Sequence, residues 1–191
     1  MPSPRSSWKF LYGRSFRNPS AYELFFDDQG LSALGNPGAR PEKGQTYEVV
    51  VEQKLTKTFG ASAAAYHYRL HDLLVGVRTA DGLLQYQNVD SNRASGLELE
   101  ASGRLAPWME AVAGFAIQRA IDDRTRWTLV NSPQRIGHLR LAVPLFSNRW
   151  SLSGGLRYMS TRKTMAGNLV GSVVLPECTV TSTHLLPGVD L

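Results

Sequence analysis

Apolar and polar residues alternate along most of the chain, which is the pattern of β-strands with two unlike faces. Tyr47, Val49 and Val51 alternate with Glu48 and Glu52, for example, and the same period of two recurs from end to end. The predicted strands are Trp8–Phe16, Thr46–Lys57, Ala61–Leu73, Gly96–Leu105, Met109–Arg119, Arg135–Leu145, Trp150–Tyr158 and Cys178–Leu185. We therefore predict an all-β protein with about eight strands, longer than the roughly five or six residues typical of soluble sheets.

Short and long connections alternate between these strands. The short turns are Thr58–Gly60, Ala106–Trp108 and Phe146–Asn148. The long polar connections are Asn18–Gln45, Arg78–Ser95, Asp122–Gln134 and Thr161–Ser172. This alternation predicts an antiparallel up-and-down meander with a plain end and an elaborated end. Within the first long connection, Ser20 and Glu23 have the spacing of a capping box and predict a short helix.

The charged face of the strands has two interpretations. In a soluble barrel or sandwich it would meet water, and the apolar face would form a dry core. In a transmembrane β-barrel the apolar face, with Tyr66, Tyr68, Leu97, Leu99, Leu139 and Leu141, would meet lipid, and the charged face would line a wet interior. The predicted lumen-lining residues are Glu48, Glu52, His67, Arg69, Glu98, Glu100, Arg104, His138 and Arg157. Strand length, aromatic residues near strand ends and the unequal connections favour the membrane barrel.

Composition excludes several classes of protein. The 191 residues suffice for one domain, and no apolar run approaches the roughly 18 residues of a membrane-spanning helix. The single cysteine, Cys178, cannot form an intrachain disulfide and has no assigned role. The net charge of +5 is not gathered into a basic stripe, so we do not predict nucleic-acid binding.

The sequence offers little catalytic chemistry. His67 and His71 share a strand face but lie roughly 13 Å apart, too far to bind one metal ion directly. Glu98 and Glu100 form a conceivable hydrolase pair, although they fit a charged lumen more simply. We therefore predict no catalytic residue, no metal site, no cofactor and no enzyme activity.

Four segments, in order, resemble the β-barrel of TonB-dependent outer-membrane receptors. They are YGRSFRNPSAYELF at Tyr12–Phe25, NPGARPEKGQTYE at Asn36–Glu48, YQNVDSNRASGLE at Tyr86–Glu98 and LVNSP at Leu129–Pro133. The resemblance extends from about Trp8 to Arg157. Ala39 departs from the family, which usually has leucine there, and Gln134-Arg135 stands where Arg-His is frequent.

The resemblance implies a fold, a location and partners. We expect residues 1–191 to form part of a transmembrane barrel domain, without the plug domain and the last strand or strands, in the outer membrane of a Gram-negative bacterium. Receptors of this family import a scarce nutrient, such as a ferric siderophore or similar chelate. The implied partners are outer-membrane lipid, a small-molecule or metal-chelate ligand, and the TonB energy-coupling complex acting through the plug. A fragment without a plug should not transport by itself.

Aromatic and polar residues of the long connections are the candidate ligand-binding residues. They are Tyr22, Phe25, Phe26, Tyr86, Gln87, Asn88, Arg126 and Trp127. Aromatic rings together with arginine suit an iron-chelate anion or a catechol through stacking and charge. The alternative is that Tyr22, Leu24 and Phe25 only pack the core of their own loop.

Two other functions remain open at this stage. One is a small, self-contained outer-membrane barrel with a structural or adhesive role. The other is a soluble β-barrel that binds a lipid-like ligand inside. Both would produce the same alternation of apolar and polar residues.

Overall fold

The computed structural model describes residues 5–145 and 149–182, and its regular structure is almost entirely β-strand. The helix, α1, is Ala21–Phe25. The strands are β1 (Ser6–Arg17), β2 (Ala33–Leu34), β3 (Glu42–Lys54), β4 (Phe59–Arg78), β5 (Leu84–Ala106), β6 (Met109–Asp122), β7 (Arg135–Leu145), β8 (Trp150–Met159), β9 (Arg162–Lys163), β10 (Leu169–Val170) and β11 (Val173–Ser182).

Eight long strands form one antiparallel meander in the order β1-β3-β4-β5-β6-β7-β8-β11. The short strand β2 pairs in parallel with β5, and β9 pairs with β10. Over residues 5–145 and 149–182, β1 pairs only with β3 and β11 only with β8, so the sheet is open at both edges. The predicted all-β meander of about eight long strands is therefore confirmed.

The predicted connection Arg78–Ser95 is wrong, because most of it is strand. β4 continues to Arg78 and β5 begins at Leu84. These strands have 20 and 23 residues, or roughly 65 to 75 Å, far more than the roughly 30 Å of a bilayer core. Their far ends form a hairpin beyond the rest of the sheet. The predicted turn Phe146–Asn148 lies outside the described residues, as do the last three residues of the predicted strand Cys178–Leu185.

The sheet has no hydrophobic core of the usual kind. The buried apolar residues are Ala33, Ala94, Ala111, Ala120 and Ile121, and no large side chain among the described residues is fully buried. A soluble domain of this size buries its leucine, valine and phenylalanine side chains. Here Phe10, Leu97 and Leu139 remain exposed. The apolar face therefore requires a cover other than this chain's described residues.

The strand register places most of the exposed apolar residues of the sheet on one face. Phe10, Val49, Ala65, Leu97 and Ile117 lie directly opposite one another on successive strands. We call a set of the apolar residues on this face the apolar band; Phe16, Phe59, Ala61, Ala101 and Ile121 share the face and are not counted in it. It consists of Trp8, Phe10, Tyr12, Tyr47, Val49, Val51, Ala63, Ala65, Leu97, Leu99, Ala111, Ala113, Phe115, Ile117, Leu139, Leu141, Val143, Leu145, Trp150, Leu152, Leu156, Tyr158, Val174, Pro176, Cys178 and Val180.

The apolar band runs obliquely across the strands. Its last residue on β1, Tyr12, is level in the register with Arg119 on β6, whereas Tyr158 on β8 is level with Phe115, four residues lower. Strands that are tilted in a membrane barrel produce a slope of this direction. On β8 the band covers Trp150–Tyr158, close to the roughly 9–11 residues with which a strand crosses a bilayer.

The face predicted for part of β4 is wrong. Tyr66 lies opposite Glu48 and Tyr68 opposite Thr46, so both tyrosines share the charged face. His67 lies opposite Tyr47, on the apolar face. The apolar face of β4 carries the small residues Ala63 and Ala65, whereas the charged face carries the larger Tyr66 and Tyr68. The prediction assigned the large aromatic side chains to the apolar face and was therefore wrong. Leu97, Leu99, Leu139 and Leu141 do share the face of Tyr47, as predicted.

Among the described residues, no helix is long and apolar enough to cross a membrane.

Candidate ligand-binding site

An ion-pair cluster fixes both ends of the loop between β1 and β3. The guanidinium of Arg17 donates to both carboxylate oxygens of Glu23 at 3.0 Å and to those of Glu42 at 2.7 and 3.0 Å. Ser20 and Glu23 form the predicted capping box of α1. The side chain of Glu23 is buried, and its bonds with Arg17 lower its pKa to about 2. These charge-assisted bonds hold the loop where it leaves β1 and where it enters β3.

The same loop is fastened to the β4–β5 hairpin. The Asn36 side chain donates to the carbonyl of Tyr86 at 2.9 Å, and the Gln85 side chain donates to the carbonyl of Gly35 at 3.1 Å. The Asn88 side chain accepts from the Arg40 amide at 2.7 Å and donates to the Arg40 carbonyl at 2.9 Å. Asn88, a predicted ligand-binding residue, therefore holds two loops together.

Three of the predicted aromatic residues form one cluster. The rings of Tyr22 and Phe26 stack with centroids 4.4 Å apart, and Tyr86 meets Tyr22 edge-on at 6.2 Å. Of Tyr22, Leu24 and Phe25, the residues that the alternative assigns to a loop core, only Tyr22 takes part in this cluster. Phe25 lies outside the cluster and is 68% exposed. Gln87 donates to the side chain of Gln85 at 2.8 Å.

Arg126 and Trp127 lie at a second place, in the loop between β6 and β7. Asp122 shapes this loop, because its carboxylate accepts from the amides of Arg124 and Thr125 at 2.8 and 2.7 Å. Arg126 has a positive φ of 63° at this turn. No hydrogen bond or ring contact among the described residues joins Arg126 or Trp127 to the aromatic cluster of Tyr22. The structure therefore divides the eight candidate residues between two pairs of loops.

Arg126 and Trp127 line a cleft with residues of the loop between β8 and β11. The Asn131 amide donates to the Lys163 carbonyl at 2.7 Å and joins the two loops. The Lys163 ammonium lies 5.0 Å from the centroid of the Trp127 ring, at a cation–π distance. The cleft has a volume of about 460 Å³ and is also lined by Arg162. We call it the basic cleft.

The basic cleft has the chemistry of an anion site with an aromatic wall. Its cations are Arg126, Arg162 and Lys163, and one guanidinium nitrogen of Arg162 is buried without a hydrogen-bond partner. Arg162 and Lys163 are not among the ligand-binding residues predicted from the sequence. They lie in the next long connection after the one that carries Arg126, at the same end of the meander. This position could have identified them as candidates from the sequence.

The charged face carries seven of the nine predicted lumen-lining residues. The register places Glu48, Glu52, Glu98, Glu100, Arg104, His138 and Arg157 on one face of the sheet. The prediction is wrong for His67 and Arg69, which lie on the apolar face. There His67 contacts the Ser95 hydroxyl at 2.8 Å and accepts a bond from Arg69 at 3.2 Å.

Charge is unevenly distributed over the charged face. Glu48, Glu98 and Glu100 lie on β3 and β5, whereas His138, Arg140 and Arg157 lie on β7 and β8. Ion pairs join Lys9 to Glu52 at 2.5 Å, Arg104 to Glu110 at 3.8 Å and Arg157 to Glu177 at 2.7 Å. In the described part of the chain, no group of three or more His, Cys, Asp or Glu side chains could hold a metal ion.

The comparisons with known proteins agree on one family. The family model "TonB dependent receptor-like, beta-barrel" matches residues 1–189. A comparison with curated proteins finds no match. Among solved structures, the FrpB iron transporter from Neisseria meningitidis aligns with a TM-score of 0.73 and 17% identity, over 97% of this chain and 31% of that one.

Two further structures are similar. P. aeruginosa FpvA bound to a ferric pyoverdine aligns with a TM-score of 0.73 and 16% identity, over 96% of this chain and 26% of that one. The ferric-catecholate import receptor Fiu from K12 E. coli aligns with a TM-score of 0.70 and 18% identity, over 93% of this chain and 26% of that one. The chain thus spans less than a third of the length of these proteins, and the likeness concerns the fold.

Proposed function

The chain belongs to the TonB-dependent receptor-like β-barrel family, and on this basis we propose that it forms part of an outer-membrane receptor for an anionic metal chelate, such as a ferric siderophore. This family consists of receptors and transporters rather than enzymes. The observation that carries the ligand proposal is the basic cleft between two loops at the elaborated end of the sheet.

The membrane location is supported by the exposed apolar band. Transfer of its leucine, valine and aromatic side chains from water to hydrocarbon is favourable, by about 25 cal/mol for each Å² of apolar surface removed from water. The charged face would then line an aqueous lumen. A soluble barrel would bury the apolar face, and no large apolar side chain of the described residues is fully buried there. We propose the outer membrane of a Gram-negative bacterium, the location implied by the family.

Closure of the barrel is proposed to involve further strands. The unpaired backbone groups of β1 and β11 could not remain exposed inside a bilayer, because each would lack a hydrogen-bond partner. Related structures are more than three times as long as this chain. Additional strands, a plug domain and coupling to TonB through that plug are therefore part of the proposal. A self-contained small barrel would instead require β1 to pair with β11.

Ligand recognition is proposed to begin at the loops. Trp127 offers an aromatic face, and Arg126, Arg162 and Lys163 offer positive charge for a metal chelate with carboxylate or catecholate groups. The other loops at this end of the sheet carry the aromatic residues Tyr22, Phe25, Phe26 and Tyr86. About half of the Tyr22 surface is exposed and could contact a ligand. Gln87 and Asn88 would act mainly by positioning the hairpin.

The experiment compares ligands of different charge on the closed barrel that contains this chain, refolded in detergent. Trp fluorescence would be titrated with an anionic ferric catecholate and with a neutral ferric hydroxamate. We expect tighter binding of the anion, with the paired change Arg126→Gln and Lys163→Gln weakening it by about fivefold or more, since each such charge is worth up to about 1 kcal/mol.

The control variant changes Lys57→Gln and Arg140→Gln, and so removes the same charge away from the cleft. Equal binding of both complexes, or equal weakening by the cleft variant and the control, would contradict the ligand proposal. Folding of the chain in plain buffer without detergent would contradict the membrane proposal.

A further inference from the structure

The β4–β5 hairpin extends beyond the neighbouring strand β3 and leaves one backbone edge of β4 without a strand beside it. The pairing of β3 with β4 ends where Lys43 lies opposite His71. β4 continues to Arg78, and in the described part of the chain this extension pairs only with β5. We call Leu74–Arg78, on the side of β4 that points away from β5, the free edge.

Two hydrogen bonds establish which backbone groups point out of the free edge. The Leu74 amide donates to the side chain of Glu42 at 2.9 Å, so it points away from β5. The Thr79 amide, an odd number of residues further along, donates across the hairpin turn to the returning chain at 2.8 Å. Successive residues of an antiparallel strand direct their N–H and C=O groups to opposite sides. Gly76 and Arg78 therefore direct theirs outward, like Leu74.

Nothing among residues 5–145 and 149–182 fills the free edge. The outward N–H and C=O groups of Gly76 and Arg78 have no hydrogen-bond partner there. The loop between β1 and β3 binds the hairpin on the other strand, where Ser32 accepts from the Leu84 amide at 2.8 Å. Strands added to close the barrel would lie beside β1 and β11, with β3 still between them and β4. A row of unpaired backbone groups is a template for pairing with another chain.

The surroundings of the free edge carry excess positive charge. At its lower end Arg40 and Lys43 share one carboxylate, that of Asp72, at 2.9 and 3.8 Å, and both cationic side chains are more than half exposed. At its upper end Arg78 is exposed and donates to the Gly82 carbonyl at 2.9 Å. Arg78 has no ion pair within the described ranges. This charge favours an acidic partner over a basic one.

A second copy of this chain fits the free edge poorly. Two copies inserted in one membrane would have their β4 strands running in the same direction. A twofold axis along the membrane normal would then place amide opposite amide rather than opposite carbonyl. A separate extended segment has no such restriction. Val75, which is 38% exposed, would pack beside the side chains of an added strand, and β-branched residues form favourable cross-strand pairs with valine.

We propose that the free edge binds an extended, acidic segment of a partner protein as an additional β-strand. The main chain of this segment would pair with the outward groups of Gly76 and Arg78, and its carboxylates would lie near Arg40, Lys43 and Arg78. The inference goes beyond uptake of a metal chelate. It rests on the proposed membrane location only in placing the hairpin outside the hydrocarbon and in disfavouring a second copy.

The experiment measures residue-resolved hydrogen exchange with an eight-residue peptide that alternates valine and glutamate. The closed barrel that contains this chain would be refolded in detergent and saturated with the peptide. Exchange at the amides of Gly76 and Arg78 should slow by about tenfold or more, since these amides gain hydrogen bonds. Exchange at Val75 and Val77, which point toward β5, should change little. A peptide that alternates valine and lysine should bind at least about fivefold more weakly, because one exposed ion pair contributes up to about that factor.

A matched pair of variants at Gly76 separates the hydrogen bond from steric effects. Gly76→Pro removes the outward N–H, at a position where an edge strand tolerates proline, and should weaken binding of the acidic peptide about tenfold. Gly76→Ala keeps the N–H and should bind like the native chain. Each variant adds a Cβ, which would lie 2.9 Å from the movable Cδ1 of Leu84.

The outcomes distinguish this proposal from the membrane location. Heat-modifiable gel mobility reports insertion of each sample. An inserted native barrel without protection at Gly76 and Arg78, or equal binding by the two Gly76 variants, overturns strand addition. Equal binding of the acidic and basic peptides overturns the acidic partner. A dimer that forms without peptide and is lost in Gly76→Pro would make a second copy the occupant and overturn the proposal. A barrel that binds the peptide as expected but does not insert contradicts the membrane location alone.

Discussion

Arg17 holds Glu23 through two parallel hydrogen bonds of 3.0 Å, between the end of β1 and the first turn of α1. Fork-to-fork pairs of this kind are stronger and more directional than ordinary hydrogen bonds. Because the carbonyl of Glu23 also accepts from the amide of Asn36 at 2.9 Å, the pair fixes two distant parts of one loop. These bonds hold the loop that carries Tyr22 in one position.

Replacing Glu23→Gln should release this loop. The change removes the charge from bonds worth about 2 kcal/mol, so local opening should increase roughly 30-fold. Hydrogen exchange at the amides of Leu24, Phe26 and Asn36, measured by mass spectrometry in detergent, would report the opening. Glu48→Gln, on the charged face and without an ion pair among the described residues, is the control. Unchanged exchange in the Glu23 variant would show that the loop is held by other contacts.

The same loop should respond to acid at a low pH. Arg17 holds the pKa of Glu23 at about 2, below its ordinary value of 4.5. A carboxyl whose pKa is lowered by folding stabilises the docked loop above pH 4.5, and this stabilisation is lost as the pH falls toward about 2. Exchange at Asn36 should therefore rise steeply below pH 4.5 in the native chain, after correction for the intrinsic rate. The Glu23→Gln variant should lack this rise in exchange. An identical rise in the native chain and in the variant would show that another titrating group causes it.

Gly96 should not tolerate a larger side chain. A Cβ atom at this position would lie 2.5 Å from the Tyr66 hydroxyl, which donates to Gln118 at 3.2 Å across the strands. Changing Gly96→Ala should displace the tyrosine and lower the free energy of unfolding by about 1–3 kcal/mol. Urea titration of the closed barrel that contains this chain, in lipid vesicles, measures the loss. Gly154→Ala is the control, since its Cβ would meet no atom within 4 Å. Equal stability of the Gly96→Ala and Gly154→Ala variants would contradict the close packing of the Tyr66 ring against Gly96.

The strands could be predicted from sequence where their two faces differ. In β3, Tyr47, Val49 and Val51 lie on one face and Glu48 and Glu52 on the other, so its two faces differ clearly in polarity. The far part of β5, around Gln85 and Asn88, lacks this contrast because polar residues lie on both of its faces. Its polar composition led to the wrong prediction of a long loop.

The candidate site was less predictable than the strands. Which face His67 and Arg69 occupy depends on the register with β3, and a single strand does not contain that information. The basic cleft required two loops, about 35 residues apart in sequence, to meet through Asn131 and Lys163. The Ser20 and Glu23 capping box could be predicted, since its partners lie three residues apart.

The most direct test of the account uses the single cysteine. Cys178 is exposed and lies in the apolar band, opposite Gly154 on β8. A closed barrel that contains this chain, with Cys178 as its one cysteine, would be labelled there with a nitroxide and placed in lipid bilayers, and collisions with oxygen and with a water-soluble nickel chelate would be compared. The control carries the label on the charged face, through Thr179→Cys with Cys178→Ser.

If the apolar band faces lipid, the label at position 178 should collide mainly with oxygen and the label at 179 mainly with the nickel chelate. A label at position 178 that reaches the nickel chelate as readily as the label at 179, or that is shielded from both reagents, would contradict the outward orientation of the apolar band.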